Sequence, residues 1–117
     1  MTHTQIEIEP EAAGDLAGDR LDLLREFTAD LAERGEPLGL IGPLEPARIW
    51  TRHVLNSALL APLIASGARV ADIGTGGGMP GLVLAIVRPD AQFLLLEPME
   101  RRCAWLTEQS DRLGLEN

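Results

Sequence analysis

The period of the apolar positions changes partway along the chain, and the change divides it. Between residues 19 and 34, Leu23, Leu24, Phe27 and Leu31 recur at helical spacing. That pattern predicts a helix with Asp19 as its N-cap and Gly35 just past its end. Residues 36–45 (EPLGLIGPLE) hold two prolines and two glycines and read as a loop. Pro46 then suits the first turn of a helix. Ile49, Trp50, Val54, Leu55, Ala58, Leu59 and Leu63 supply an apolar face for one helix or two broken ones, ending near Gly67. Beyond it the runs shorten: residues 69–73 (RVADI) and 92–96 (QFLLL) read as strands, the second with a buried look. Residues 80–87 (PGLVLAIV) and 99–113 read as helices, the latter capped by Gly114.

Helices followed by strand–helix–strand–helix predict an α/β fold: the first two β-α units of a Rossmann-like sheet with parallel strands. The expected divisions are an acidic tail over residues 1–18, a helical segment over 19–66 and a partial Rossmann-like domain over 67–117. Two parallel strands and two helices cannot cover both faces of a sheet. The chain is therefore expected to be the front part of a longer domain, with a third strand due after residue 114.

The richest chemistry lies between the first strand and its helix, in Asp72-Ile73-Gly74-Thr75-Gly76-Gly77-Gly78-Met79-Pro80-Gly81. Glycines after a strand let backbone N–H groups approach a ligand closely. Residues 76–81 match G-x-G-x-x-G, the dinucleotide fingerprint, which should begin directly after the strand and here begins two residues late. Residues 72–78 match the acid-x-G-x-G-x-G loop of enzymes that bind S-adenosyl-L-methionine (SAM), with Asp72 as the acid. Placement favours SAM, because that frame also accounts for a carboxylate at the end of a strand, costly to bury unless paired. Glu97, ending the second strand, could accept hydrogen bonds from both ribose hydroxyls of either ligand. A nicotinamide-dependent oxidoreductase is the alternative enzyme class, and a non-catalytic binding remnant is the other alternative.

Charge adds a complication. The 117 residues carry a net charge of −8, the wrong sign for the usual nucleic-acid footprint. All of it sits in residues 1–45, where eleven acids face Arg20, Arg25 and Arg34; the remainder is neutral. A single cysteine, Cys103, excludes an internal disulfide and points to a reducing cytoplasm. It lies among Ala104, Trp105 and Leu106 and is expected in the core. Trp50 and Trp105 are expected to pack rather than to stack on bases. The longest apolar run, residues 58–65, is far short of the twenty or so that a membrane span needs. His3, His53 and Cys103 make no metal-ligand set.

DIGTGGGMPGLVLAIVRPD, LLLEPMERRCAWL and the closing LGLEN resemble the glucose-inhibited division protein B (RsmG) family. Members are bacterial methyltransferases acting on guanine N7 of 16S rRNA, the small-subunit RNA. Residues 49–57 (IWTRHVLNS) resemble that family's Trp-x-Arg-His-hydrophobic-x-Asp-Ser segment, with Asn56 in place of Asp. Glu97 stands where Asp is usual, Pro98 replaces Ser, and residues 30–44 depart from the common pattern. Members are about twice this length.

The resemblance implies SAM as cofactor, a class I methyltransferase sheet, a small-ribosomal-subunit substrate and a monomer in the cytoplasm, with neither metal nor membrane. It makes Gly74 and Met79 the leading cofactor residues, with Asp72, Thr75, Gly76, Gly78 and Glu97 beside them. Arg52 and His53 become candidates near the cofactor or RNA, and Arg101 and Arg102 candidate phosphate contacts. No catalytic residue is expected, since N7 carries its own lone pair and needs no general base. Aligning nitrogen, methyl and sulfur is the enzyme's work.

Overall fold

The computed structural model describes residues 5–117, so His3 lies outside the described residues. In chain order the elements are α1 (Ala12–Ala17), α2 (Leu21–Arg34), α3 (Leu55–Ala58), β1 (Arg69–Ile73), α4 (Gly81–Val87), β2 (Gln92–Leu96) and α5 (Glu100–Arg112). The strands pair in parallel, Arg69 opposite Gln92 and Ile73 opposite Leu96, so both end level. This is the expected α/β arrangement, and both strands have the expected bounds.

Apolar stripes from every helix meet in one core. Leu24, Phe27 and Leu31 of α2 join Ile49, Trp50 and Val54, the α4 residues Leu82, Val83 and Ile86, and Trp105 and Leu106 of α5. Complete burial of a side chain such as Phe27 is worth about 1.5–3 kcal/mol. Phe27 meets Trp105 with ring centroids 6.4 Å apart, and the Arg34 guanidinium lies 5.2 Å from the Trp105 ring centre. Polar links bind the same helices: Arg34 spans Asp30 and Glu108 at 3.0 Å each, and Gln109 donates to Asp30. The α2–α5 seam thus fastens the acidic first third to the sheet half.

One face of the sheet is bare. Ile73, Leu94 and Leu96 are 82, 59 and 41% exposed, while Val70, Asp72, Phe93 and Leu95 alternate with the exposed positions. The buried look of residues 92–96 is correct for one face only, because a run of leucines does not reveal which faces have a covering layer. At the outer edge of β2 the Phe93 amide donates to the Asn117 carbonyl at 2.8 Å.

Three expectations need correction. The acidic tail over residues 1–18 is docked across the described positions 5–18. The Glu7 amide donates to the Pro46 carbonyl, Glu9 pairs with Arg25 at 2.6 Å, and α1 buries Ala13 and Ala17. Its acids find partners distant in sequence, and its alanines are small enough to pack closely. Asp19 lies in a 3₁₀ turn (Gly18–Arg20) and does not cap α2, which begins at Leu21 without a side-chain cap. The segment expected as one or two helices passes through four short segments of three turn types: 3₁₀ at Glu45–Arg48, π-helical at Ile49–Val54, α3, and 3₁₀ again at Ala61–Leu63.

Candidate functional site

Level strand ends place the start of the glycine loop beside Glu97. The amides of Gly74 and Thr75 both donate to the Leu96 carbonyl, at 2.7 and 3.2 Å. The chain then folds back, with the amides of Gly78 and Met79 donating to the Thr75 carbonyl. Gly74, Gly76 and Gly78 have φ of +77°, +61° and +107°, a region side chains rarely adopt. Around Gly74 and Gly76 the space is open: a Cβ added to either would meet no atom within 4 Å. Gly81 is the opposite case, since its added Cβ would lie 2.2 Å from Leu95 Cδ2 and 2.8 Å from Asp72 Oδ2. That closeness seats the start of α4 against the sheet.

The two carboxylates grip the loop from different sides. Asp72 Oδ2 accepts from the Gly81 amide at 2.9 Å. Glu97, its side chain only 3% exposed, accepts from the Gly76 amide at 3.0 Å and, through its other oxygen, from the Met99 amide at 2.9 Å. Arg102 reaches toward Glu97 at 3.8 Å and donates to the Gly39 carbonyl at 3.3 Å. Thr75 is buried with its hydroxyl unpartnered among the described residues. Beneath the turn, the Trp105 indole N–H donates to the Gly77 carbonyl at 3.0 Å.

At the far end of the loop, Met79 and Pro80, joined by a cis peptide bond, form one wall of a cleft of about 300 Å³. Arg52, His53, Asn56 and Leu60 are on the other wall. His53 Nε2 lies 2.7 Å from Glu45 Oε1, and Arg48 pairs with the same carboxylate at 2.5 Å. Arg48 first, then His53, hold the Glu45 carboxyl below its ordinary range. The Ser57 hydroxyl donates to the His53 carbonyl. Arg52 and Asn56 are exposed and, among the described residues, have no side-chain hydrogen bond or ion pair.

Asp72, Gly74, Thr75, Gly76, Gly78, Met79 and Glu97 therefore lie on one continuous loop and its two supporting strand ends. The basic candidates fall in two places: Arg52 and His53 at the cleft, Arg101 and Arg102 beside the Gly39 turn. Glu45 as the anchor of His53 had no sequence signal beyond its position eight residues upstream, and Asn56 was visible only as a substitution. Trp50 and Trp105 are buried, as expected of packing residues. Cys103 is exposed, contrary to the expected core position, and its thiol donates to the Glu97 carbonyl. The buried stripe of α5 runs through Trp105, Leu106 and Gln109, and Cys103 falls off it despite its apolar neighbours. Among the described residues no helix is long and apolar enough to cross a membrane.

Comparison with known proteins agrees with this architecture. Residues 20–117 match the GidB family model, described as rRNA small subunit methyltransferase G. The protein of that name from Clavibacter michiganensis subsp. michiganensis is 66% identical over 112 residues, 96% of this chain and 53% of that protein. Its counterpart in Leifsonia xyli subsp. xyli is 60% identical over 112 residues, 96% and 53% of the two chains. That of Pseudarthrobacter chlorophenolicus is 53% identical over 109 residues, 93% and 50%. The chain thus spans about half the length of the curated relatives it matches. With 98 of its 117 residues inside the family model, the chain belongs to the GidB family of rRNA small subunit methyltransferase G proteins.

Proposed function

We propose that the protein transfers a methyl group from SAM to N7 of a guanine in 16S rRNA of the small ribosomal subunit, and that this chain carries the donor-binding loop. One observation carries the reading. The Gly76 amide and the buried Glu97 carboxylate meet directly below the open space at Gly74 and Gly76. A nucleoside laid there has backbone beneath it and a carboxylate at its edge.

The residues present fit that donor. Glu97 uses its two oxygens for two backbone amides and has lone pairs left for ribose hydroxyls. The left-handed glycines keep side chains out of the space the nucleoside needs. Asp72, at the helix side of the loop, fixes the start of α4 through Gly81 and places negative charge near a cationic ligand. Met79 closes the loop toward the cleft. Held over this loop, SAM would supply a sulfonium methyl group for in-line transfer to the guanine N7 lone pair, with the S–C electron pair returning to sulfur. The balance needs no proton transfer, and the chain's contribution is placement. We place the reaction in the cytoplasm, where ribosomes are modified.

The test is incubation of the whole protein with 30S subunits and methyl-tritiated SAM, followed by mapping of the product. Label in 16S rRNA at a guanine that becomes sensitive to borohydride and aniline cleavage supports the reading. Label elsewhere, or none, overturns it. The 117-residue chain by itself is expected to bind SAM more weakly than micromolar and to transfer no methyl. A second titration separates the oxidoreductase alternative: SAM should quench tryptophan fluorescence where NADH does not.

A further inference from the structure

The cleft beside Met79 and Pro80 contains polar side chains of two kinds. His53 is held by Glu45, and the Ser57 hydroxyl donates to the His53 carbonyl. These two serve the local structure. Arg52 and Asn56, four positions apart and facing the same cleft, have no such partner among the described residues. Arg52 offers only donors, while Asn56 offers a donor and an acceptor. Leu60 beside them, and Met79 and Pro80 at the end of the loop, supply the apolar part of the lining.

Resting on the methyl-transfer reading above, we propose that this cleft is the acceptor-base pocket and that Arg52 and Asn56 read the O6–N1–N2 edge of a guanine turned out of its stack. Guanine presents an acceptor at O6 and donors at N1 and N2; adenine presents a donor at N6 and an unprotonated N1. Arg52 donates to O6, the position where adenine carries the N6 amino donor, so it is the residue that disfavours adenine. Asn56 Oδ1 accepts from N1–H or N2–H. Neither contact uses N7, whose lone pair stays free for the methyl group. Once N7 is methylated the ring is positively charged and N1–H is a better donor, so the Asn56 contact strengthens as transfer proceeds. His53 is a positioning residue in this arrangement: clamped by Glu45, it fixes the helical turn that presents Arg52 and Asn56.

The test uses the 117-residue chain, ¹⁵N-labelled, titrated separately with guanosine 5′-monophosphate (GMP), adenosine 5′-monophosphate (AMP) and SAM. GMP is expected to shift amide signals over residues 52–60 and at Met79, with about tenfold preference over AMP. Arg52→Ala should bring that preference close to one. Asn56→Asp should tighten GMP, because a carboxylate accepts from N1–H and N2–H together, and weaken AMP. Both side chains are exposed and have no partner among the described residues, so circular dichroism of the variants should match the parent. SAM in a parallel sample should shift Gly74 to Gly78 and Met99. GMP shifts elsewhere, or a preference that neither substitution changes, would overturn the pocket while leaving SAM shifts on the loop intact. GMP in the cleft with the loop unmoved by SAM would overturn the donor reading and keep the pocket.

Discussion

The glycine loop and the cleft next to it share Met79 and Pro80 but are built in opposite ways. In the loop, the Gly74, Thr75, Gly76, Gly78 and Met79 amides are paired, the Gly77 carbonyl takes the Trp105 indole, and Gly81 is pressed against Leu95. The cleft is formed by turns of irregular pitch, and Arg52 and Asn56 in it have no side-chain partner among the described residues. A surface that must hold a flexible small molecule in one pose gains from rigidity set before binding. On the proposed reading, a surface that receives a base from an RNA leaves its hydrogen-bonding groups free until the partner supplies their complement.

The largest effect should follow from removing the loop's support. Trp105 is 2% exposed, packs on Phe27 and closes the underside of the turn. Trp105→Ala is expected to destabilise the chain by about 3–5 kcal/mol, read from urea unfolding. Trp105→Phe keeps much of the packing but leaves the Gly77 carbonyl unpaired, so about 1–3 kcal/mol should be lost. If both variants unfold at the parent's urea concentration, the loop does not depend on this residue and the contrast with the cleft collapses.

Next in size is the loop's closest contact. Gly81→Ala puts a methyl group where Leu95 Cδ2 and the Asp72 carboxylate already sit. Overpacking of this kind costs about 1–3 kcal/mol, and the displaced α4 should weaken SAM binding as well. An alanine variant with parent stability and parent SAM affinity would show that the start of α4 can move without consequence.

What the sequence revealed follows the same division. The strands Arg69–Ile73 and Gln92–Leu96 were legible to the residue because short apolar runs between glycine and proline breaks encode them locally. The loop was legible because left-handed turns require glycine, and five of its eight residues from Gly74 to Gly81 are glycine. The cleft was only half legible. Its π-helical turn at Ile49–Val54 presents apolar residues at neither α-helical nor strand spacing, and the Glu45–His53 link depends on a 3₁₀ turn between them. The docking of residues 5–18 was hidden for a related reason. Glu9 finds Arg25 16 residues away and Glu7 finds Thr51 44 residues away, distances over which composition says only that the segment is acidic.

Glu97→Gln is the next smaller change, confined to the carboxylate that supports the loop. Glutamine keeps one acceptor but turns an amide donor toward either Gly76 N–H or Met99 N–H, both of which are donors themselves. SAM affinity should fall about tenfold, the scale of one hydrogen bond to a charged group. Glu97→Asp, shorter by one methylene, should retain most of it. Equal SAM affinity in all three proteins, measured by calorimetry, would remove Glu97 from the donor site.

The smallest effect should come from acid. Arg34 lowers the Glu108 carboxyl, Arg48 and then His53 lower that of Glu45, and Arg88 lowers Asp90 from 3.8 to about 2. Each group binds a proton less readily folded than unfolded. Its contribution is therefore complete above the unfolded pKa and is lost as pH falls through the lowered folded value. For Glu45 and Glu108 the loss begins below the ordinary 4.5; for Asp90 it falls between 3.8 and about 2. The pairs lie at or near the surface, with Glu45, His53 and Arg88 partly buried, and act on separate parts of the molecule. Glu45 holds the wall of the cleft, Glu108 the α2–α5 seam, and Asp90 orients Arg88, which donates to the Ala61 and Ile64 carbonyls. Amide exchange followed from pH 5 to pH 2 should therefore quicken at residues 49–54 before the Ile64 turn loosens. Simultaneous opening of the two segments would mean that the cleft is no more weakly held than its surroundings.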